Sequence, residues 1–291
     1  MPTLTQGPDP HPRTPTFKCP SGTVDTHIHL FGPAARYPFH SSTYYIPPDA
    51  LPETNIALQD TLGIARAVIV SGGAYGRNTS LLADTLARRP DRYRGVALVP
   101  EDIDGSEIER LTKLGVRGVR FMSASRGGVL PTISETVAAR VAEHGWHVQF
   151  YPHGADISDF ADRLLALPNT IVIDHFASVT AERGVDQPAM RTVLRMLDTG
   201  RVWVKLSGPM RCMASDFPYA AVTPIARALV AHAPERLVWG TDWPHVNLDG
   251  RVMPNDGDLV DLIPEWIADD AARRQILVDN PNQLYGFPPL A

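Results

Sequence analysis

From Thr23 onward the sequence alternates between short apolar runs and longer segments of helical periodicity, and this alternation limits the chain to very few folds. The apolar runs are TVDTHIHLF (23–31), RAVIVSG (66–72), RGVALV (94–99), VRGVRFM (116–122), HVQFYP (147–152), TIVIDHF (170–176), VWVKLSG (202–208) and LVWGTDWP (237–244). Most are rich in Val and Ile through their middles instead of alternating with polar residues, the pattern of parallel strands buried on both faces. Helical stretches separate them. In ISETVAARVAEHG (133–145), Ile133, Val137 and Val141 recur every four residues, Ser134 is placed to cap and Gly145 to stop the helix. ADISDFADRLLALP (155–168) and QPAMRTVLRMLDTG (187–200) follow the same pattern.

Eight strands, each followed by a helix, predict an α/β fold of the (β/α)8 TIM-barrel type in one domain spanning residues 22–291. An open doubly wound sheet would alternate in the same way. The G-x-G-x-x-G turn expected of its dinucleotide-binding form is missing after the first strand. Residues 1–21 stand apart as a proline-rich arm, since six prolines among the first twenty residues forbid helix and leave no apolar stretch for a secretory signal.

Composition narrows the partners. Lys and Arg number 27 against 32 Asp and Glu, a formal net charge of -5, so a broad basic face for nucleic acid is not expected. No run of eighteen apolar residues is present to span a membrane. Two cysteines without metal-knuckle spacing suit a reducing cytoplasm. Monomer and homodimer both stay open.

In a barrel of this kind reactive groups gather at the carboxyl ends of the strands. Several apolar strands here end in polar residues. The first ends in His27-Ile28-His29, whose alternate positions put both imidazoles on one face. The fourth carries Arg120, with Arg126 in the loop beyond; the fifth ends at Tyr151, the sixth at Asp174-His175, and the eighth at Asp242 within GTDWPH. Arg211 follows the seventh. Taken singly, each has an ordinary explanation: a hydrogen-bonded core histidine, a structural ion pair for Arg120, a capping role for Asp242. Imidazoles from strands one and six together with a carboxylate from strand eight at one rim are harder to explain by packing. His153 and His245 follow rim residues closely enough to support them, whereas His147 begins its strand at the opposite end.

The segments VDTHIHLFGP, VIVSGG, GVRGVRF, IVIDHF, WGTDWPH and NPNQLYGF resemble the amidohydrolase superfamily from about Gly22 to Phe287, in particular its 2-pyrone-4,6-dicarboxylate lactonase and 4-sulfomuconolactone hydrolase branch. The resemblance implies a lactonase. Asp242 would be the general base, and His27, His29 and His175 correspond to the histidines that other members use as metal ligands. Arg120, Arg126 and Arg211, with Tyr45 and Tyr151, would hold substrate carboxylates. One departure falls in SGGAYG, where Gly73 stands at the family's polar position and Ser71 is left as the nearby hydroxyl.

Hydrolysis of a cyclic ester needs an activated water, stabilisation of the oxyanion and a grip on the substrate. Asp242 suits the first, the imidazoles the second, and arginine forks the third. Three arginines at one rim imply a lactone with more than one anionic group, of the kind met in breakdown of aromatic compounds. A metal-free centre is the favoured reading, with one divalent ion such as Zn on His27, His29, His175 and Asp242 as the alternative. Arg120 and Tyr151 occupy the strand ends where binuclear members place bridging ligands, which argues against two metals. Three other functions compete: a mononuclear metal-dependent decarboxylase, a sugar-diacid lactone isomerase, and a non-catalytic binding protein.

Overall fold

The computed structural model describes residues 2–123, 132–152, 156–248 and 250–289. Eight parallel strands form its centre: β1 (Val24–Ile28), β2 (Arg66–Val70), β3 (Tyr93–Ala97), β4 (Val116–Met122), β5 (His147–Tyr151), β6 (Ile171–Ile173), β7 (Val202–Ser207) and β8 (Leu237–Gly240). Each pairs in parallel with the next in sequence. The sheet closes where the last strand meets the first. Ile28 bridges Trp243, His29 N donates to Trp243 O at 2.7 Å, and Asp242 N donates to His27 O at 2.9 Å. The result is the (β/α)8 barrel expected from the alternation.

All eight apolar runs contain a strand, and several strands stop short of the run. The strand expected over 237–244 ends at Gly240, because Asp242, His245 and Asn247 turn into left-handed backbone with φ of 70°, 59° and 60°. The helix expected over 133–145 forms as Glu135–Ala142, with Ser134 accepting from Val137 N. In 155–168 the α-helical part is shorter, Ala161–Leu165, since Asp156 first caps a 3-10 turn over Ile157–Asp159.

Strand alternation sorts the core into two layers. Ile69 belongs, with Leu81, Leu82 and Leu86 of the surrounding helices, to the large cluster between sheet and helices. Val68 and Val70 point the other way and pack with Val24, Val96, Tyr285 and Phe287. The C-terminal Tyr285–Phe287 segment therefore plugs the inside of the barrel.

The proline-rich arm lies against the barrel. Thr3–Leu4 pairs in parallel with Tyr45–Ile46 of the long loop after β1. Further along, Arg13 N donates to Asn255 Oδ1 and Phe17 N to Asp261 Oδ1. A side chain at Gly257 would overlap the Arg13 carbonyl, so glycine is required for this close approach. Among the described residues no helix is long and apolar enough to cross a membrane.

Candidate active site

The carboxyl ends of β1, β6 and β8 bring three imidazoles around one carboxylate. Nε2 of His27, His29 and His175 lies 3.7, 3.5 and 3.8 Å from Asp242 Oδ1, and all four side chains are buried. Alternation along the β1 end points His27 and His29 the same way, while Gly208 lets His175 and Asp242 approach: a Cβ there would sit 2.7 Å from His175 Nδ1.

Each imidazole is oriented through its other nitrogen. His29 Nδ1 donates to Val70 O at 2.8 Å, His175 Nδ1 faces the oxygens of Ser207 at 3.0 and 3.3 Å, and His27 Nδ1 faces Asp174 Oδ1 at 3.3 Å. Carbonyl and carboxylate oxygens can only accept, so the ring proton is drawn to Nδ1 and the Nε2 lone pairs converge on Asp242. Burial pushes His175 down to about 4 and holds His27 well below its usual value, the latter against the pull of Asp174. Both rings are thus neutral at pH 7. Burial pushes the Asp242 carboxyl up, but the Arg211 guanidinium on Oδ2 holds it well below the usual carboxylate range.

Lone pairs aimed at a carboxylate repel unless a cation lies between them. Both ring nitrogens of His27 are buried without a hydrogen bond among the described residues, Nδ1 lying 3.3 Å from Asp174 Oδ1 and Nε2 3.7 Å from Asp242 Oδ1. Donor atoms of His27, His175 and Asp242 lie within 4.8 Å of one another, and His29 adds a further nitrogen beside Asp242. This donor set fits one divalent ion such as Zn2+, which takes imidazole and carboxylate ligands of this kind. It also changes what two of the rings can do: His27 and His175, neutral with Nδ1 protonated, cannot donate from Nε2 to an oxyanion, the role expected of them from sequence.

The backbone here is strained. His175, Phe176, Ala177 and Ser178 run consecutively at φ between 49° and 57°, a left-handed turn built without glycine. Phe176 packs edge-on against Trp266, and Cys212 Sγ donates to His175 O at 3.0 Å, which holds the turn in place.

A cavity beside the carboxylate is lined by His29, Tyr45, Arg120, Tyr151, His175, Arg211 and Asp242, with Gly72, Gly73, Met122 and Asn247 filling out its wall. Arg211 Nε donates to Asp242 Oδ2 at 2.9 Å, and its other nitrogens donate to Val246 O and Asn247 O at 2.7 and 3.2 Å. Arg120 reaches the cavity but turns Nε and Nη2 to Asp174 Oδ2, at 3.1 and 3.0 Å, so the structural ion pair weighed from sequence is present. Tyr45 Oη accepts from Ala74 N at 3.1 Å, and Tyr151 packs edge-on against His175. Burial keeps both phenols protonated, Tyr151 being pushed up to about 12.

Ser71 corrects the sequence reading. It lines a neighbouring crevice with Leu30 and Ile69, and the cavity wall at this point is Gly72 and Gly73. Just before this loop, the carbonyl of Val70 at the end of β2 orients His29. Arg126 and His153 lie outside the described residues. His245 is buried with Nε2 3.1 Å from Asp256 Oδ1. Asp25 accepts from Thr241 N, Thr241 Oγ1 and His27 N, and burial raises it to about 7. The charged partner of His27 is Asp174, which sequence reasoning placed at the rim without a role. Lys205 and Gln149 were missed; a lysine and a glutamine in the middle of otherwise apolar strands were the available signal.

The chain is similar to known proteins along nearly its whole length. The amidohydrolase family model matches residues 24–287. A 2-pyrone-4,6-dicarboxylate hydrolase of Comamonas testosteroni is 38% identical over 286 residues, covering 94% of this chain and 93% of the relative. A 4-sulfomuconolactone hydrolase of Hydrogenophaga intermedia is 37% identical over 284 residues, covering 96% and 94%. The apo crystal structure of an Agrobacterium tumefaciens protein superposes with a TM-score of 0.85 at 32% identity, covering 95% of this chain and 100% of that one. With the family model spanning all eight strands and the relatives matching nearly end to end, the chain belongs to the amidohydrolase family.

Proposed function

We propose that this enzyme is a lactonase that opens a small cyclic ester bearing two anionic groups, such as 2-pyrone-4,6-dicarboxylate. The observation that carries the reading is the meeting, at one cavity, of an ionised Asp242 faced by three imidazoles with the guanidinium groups of Arg120 and Arg211. Relatives named for hydrolysis of such lactones support the substrate class.

A water attacks the ester carbonyl and gives its proton to Asp242 Oδ1, while Arg211 on Oδ2 keeps that carboxylate ionised and fixed beforehand. The tetrahedral intermediate collapses with cleavage of the ring C–O bond, and the departing oxygen takes the proton back from Asp242. Held by His27, His29, His175 and Asp242, a divalent ion would polarise the carbonyl and lower the pKa of the attacking water. Tyr45 and Tyr151, kept protonated by burial, are donors for carboxylate or oxyanion oxygens at the cavity wall. The guanidinium charges of Arg120 and Arg211 attract the anionic groups to a local positive cavity within a net acidic chain, and Arg126 is the third candidate for this grip.

A spectrophotometric screen with cyclic mono- and dicarboxylate lactones, run on zinc-loaded and chelated protein, tests the reading. Ring opening of a dianionic lactone, with weaker turnover of its mono-anionic analogue, is expected. Absence of ring opening across the panel by zinc-loaded protein rejects it. Release of carbon dioxide would instead identify a decarboxylase, and a product isomeric with the substrate a lactone isomerase.

A further inference from the structure

Directly beneath the site the barrel interior is charged, where barrels of this type pack layers of branched aliphatic side chains. Asp174 is fully buried at the end of β6. Its Oδ2 accepts from Arg120 Nε and Nη2 at 3.1 and 3.0 Å and from Gln149 Nε2 at 3.1 Å. Its Oδ1 lies 3.3 Å from His27 Nδ1 and 3.8 Å from Lys205 Nζ. Lys205 in turn donates to Thr26 O at 2.7 Å and Gln149 Oε1 at 2.9 Å. Gln149 is therefore held in one orientation, amide to Asp174 and carbonyl to Lys205. A buried group of two cations and an anion carries a desolvation penalty that aliphatic side chains would avoid, so packing does not account for it. Lys205 and Gln149 do not line the cavity, so substrate contact does not account for them either.

We propose that Asp174, anchored by Arg120, Gln149 and Lys205, is a positioning residue that keeps the ring proton of His27 on Nδ1 and so presents the Nε2 lone pair to Asp242. The inference rests on the functional reading in taking His27 as part of the reactive centre, but its primary readout needs neither substrate nor metal. A carboxylate that merely balanced Arg120 and Lys205 would not govern the imidazole proton.

Ring 15N NMR of histidine-labelled, metal-free protein, with the His27 signals assigned through His27→Gln, locates that proton. In the wild type it is expected on Nδ1. In Asp174→Asn, the donors of Arg120 and Gln149 keep the amide oxygen on their side and turn the NH2 toward His27; the ring proton should then move to Nε2. Zinc affinity, measured by competition with a chromophoric chelator, should fall about 10–100-fold, and kcat should fall with KM changed less than about threefold. A wild-type ring protonated on Nε2, or a folded Asp174→Asn protein that keeps the proton on Nδ1, overturns the proposal. Should Asp174→Asn not fold, Gln149→Leu replaces it, removing one donor to Asp174 and one acceptor of Lys205. A mixture of the two ring forms supports the proposal; an unchanged proton position with unchanged zinc affinity overturns it. Failure to open any lactone would reject the functional reading and leave these spectra untouched, whereas a wrong proton position would reject only the present proposal.

Discussion

Asp242 is ionised in a place where burial alone would neutralise it, and Arg211 is the reason. Its guanidinium bonds Oδ2 and leaves Oδ1 facing the imidazoles and the cavity. Asp242→Asn keeps the shape but cannot take a proton, so kcat should fall by at least about 10²-fold, the low end of what a general base contributes. Steady-state kinetics with the lactone found in the screen would check this; a loss under tenfold would remove Asp242 as base. From sequence, Arg211 is expected to hold a substrate carboxylate, so that its loss raises KM. With Nε on Asp242 and the remaining nitrogens on Val246 O and Asn247 O, it also shapes the base and its loop. Arg211→Met should therefore lower kcat as well as raise KM, and a change confined to KM would return it to a purely gripping role. The reactive group was legible because His27, His29, His175 and Asp242 interrupt apolar strand ends. The side chains that orient it were not, because the direction of a guanidinium fork or an amide depends on neighbours far away in sequence. Arg120 shows this: read as a substrate ligand, it spends Nε and Nη2 on Asp174, 54 positions away.

Among the elements, strands were easy to find and turns were not. Runs of Val and Ile mark buried parallel strands whatever surrounds them, and all eight were recovered. The left-handed turn His175–Ser178 has no glycine or asparagine to announce it, and its conformation is imposed by the packing of Phe176 and the bond from Cys212 to His175 O. Left-handed backbone costs an L-residue roughly 1–2 kcal/mol. Ser178, at φ 52°, also carries a buried Oγ with no hydrogen-bond partner among the described residues. Ser178→Gly removes both penalties and gives back part of the gain as unfolded-chain entropy. A net stabilisation of about 1 kcal/mol is expected, read as a higher urea midpoint at unchanged m-value. A lower midpoint would mean that the turn is not strained.

Across the whole molecule, burial of neutral imidazoles ties stability to pH. His147 sits inside the barrel at the start of β5, edge-on to Tyr285, and does not line the active-site cavity. Burial, helped by the charge of Lys205, pushes it down to about 3. In the unfolded chain the same imidazole takes a proton near pH 6.5. Between pH 6.5 and about 3 the unfolded state therefore binds a proton that the folded state refuses, and stability falls as pH falls, by about 1.4 kcal/mol per pH unit for each such group. The effect is absent above pH 6.5, where both states are neutral. His175 and His27 act in the same direction, while Asp25, raised by burial to about 7, takes up a proton in the folded state and offsets one of them; on balance acidification from pH 7 to pH 5 should destabilise the wild type. His147→Gln removes one of these groups while leaving the reactive centre intact. Whatever the substitution does to stability at pH 7, the further loss on going to pH 5 should be smaller than in the wild type by about 2 kcal/mol. Urea unfolding of both proteins at the two pH values measures that difference. Equal losses would mean that His147 takes up a proton within the fold and that burial does not hold it neutral.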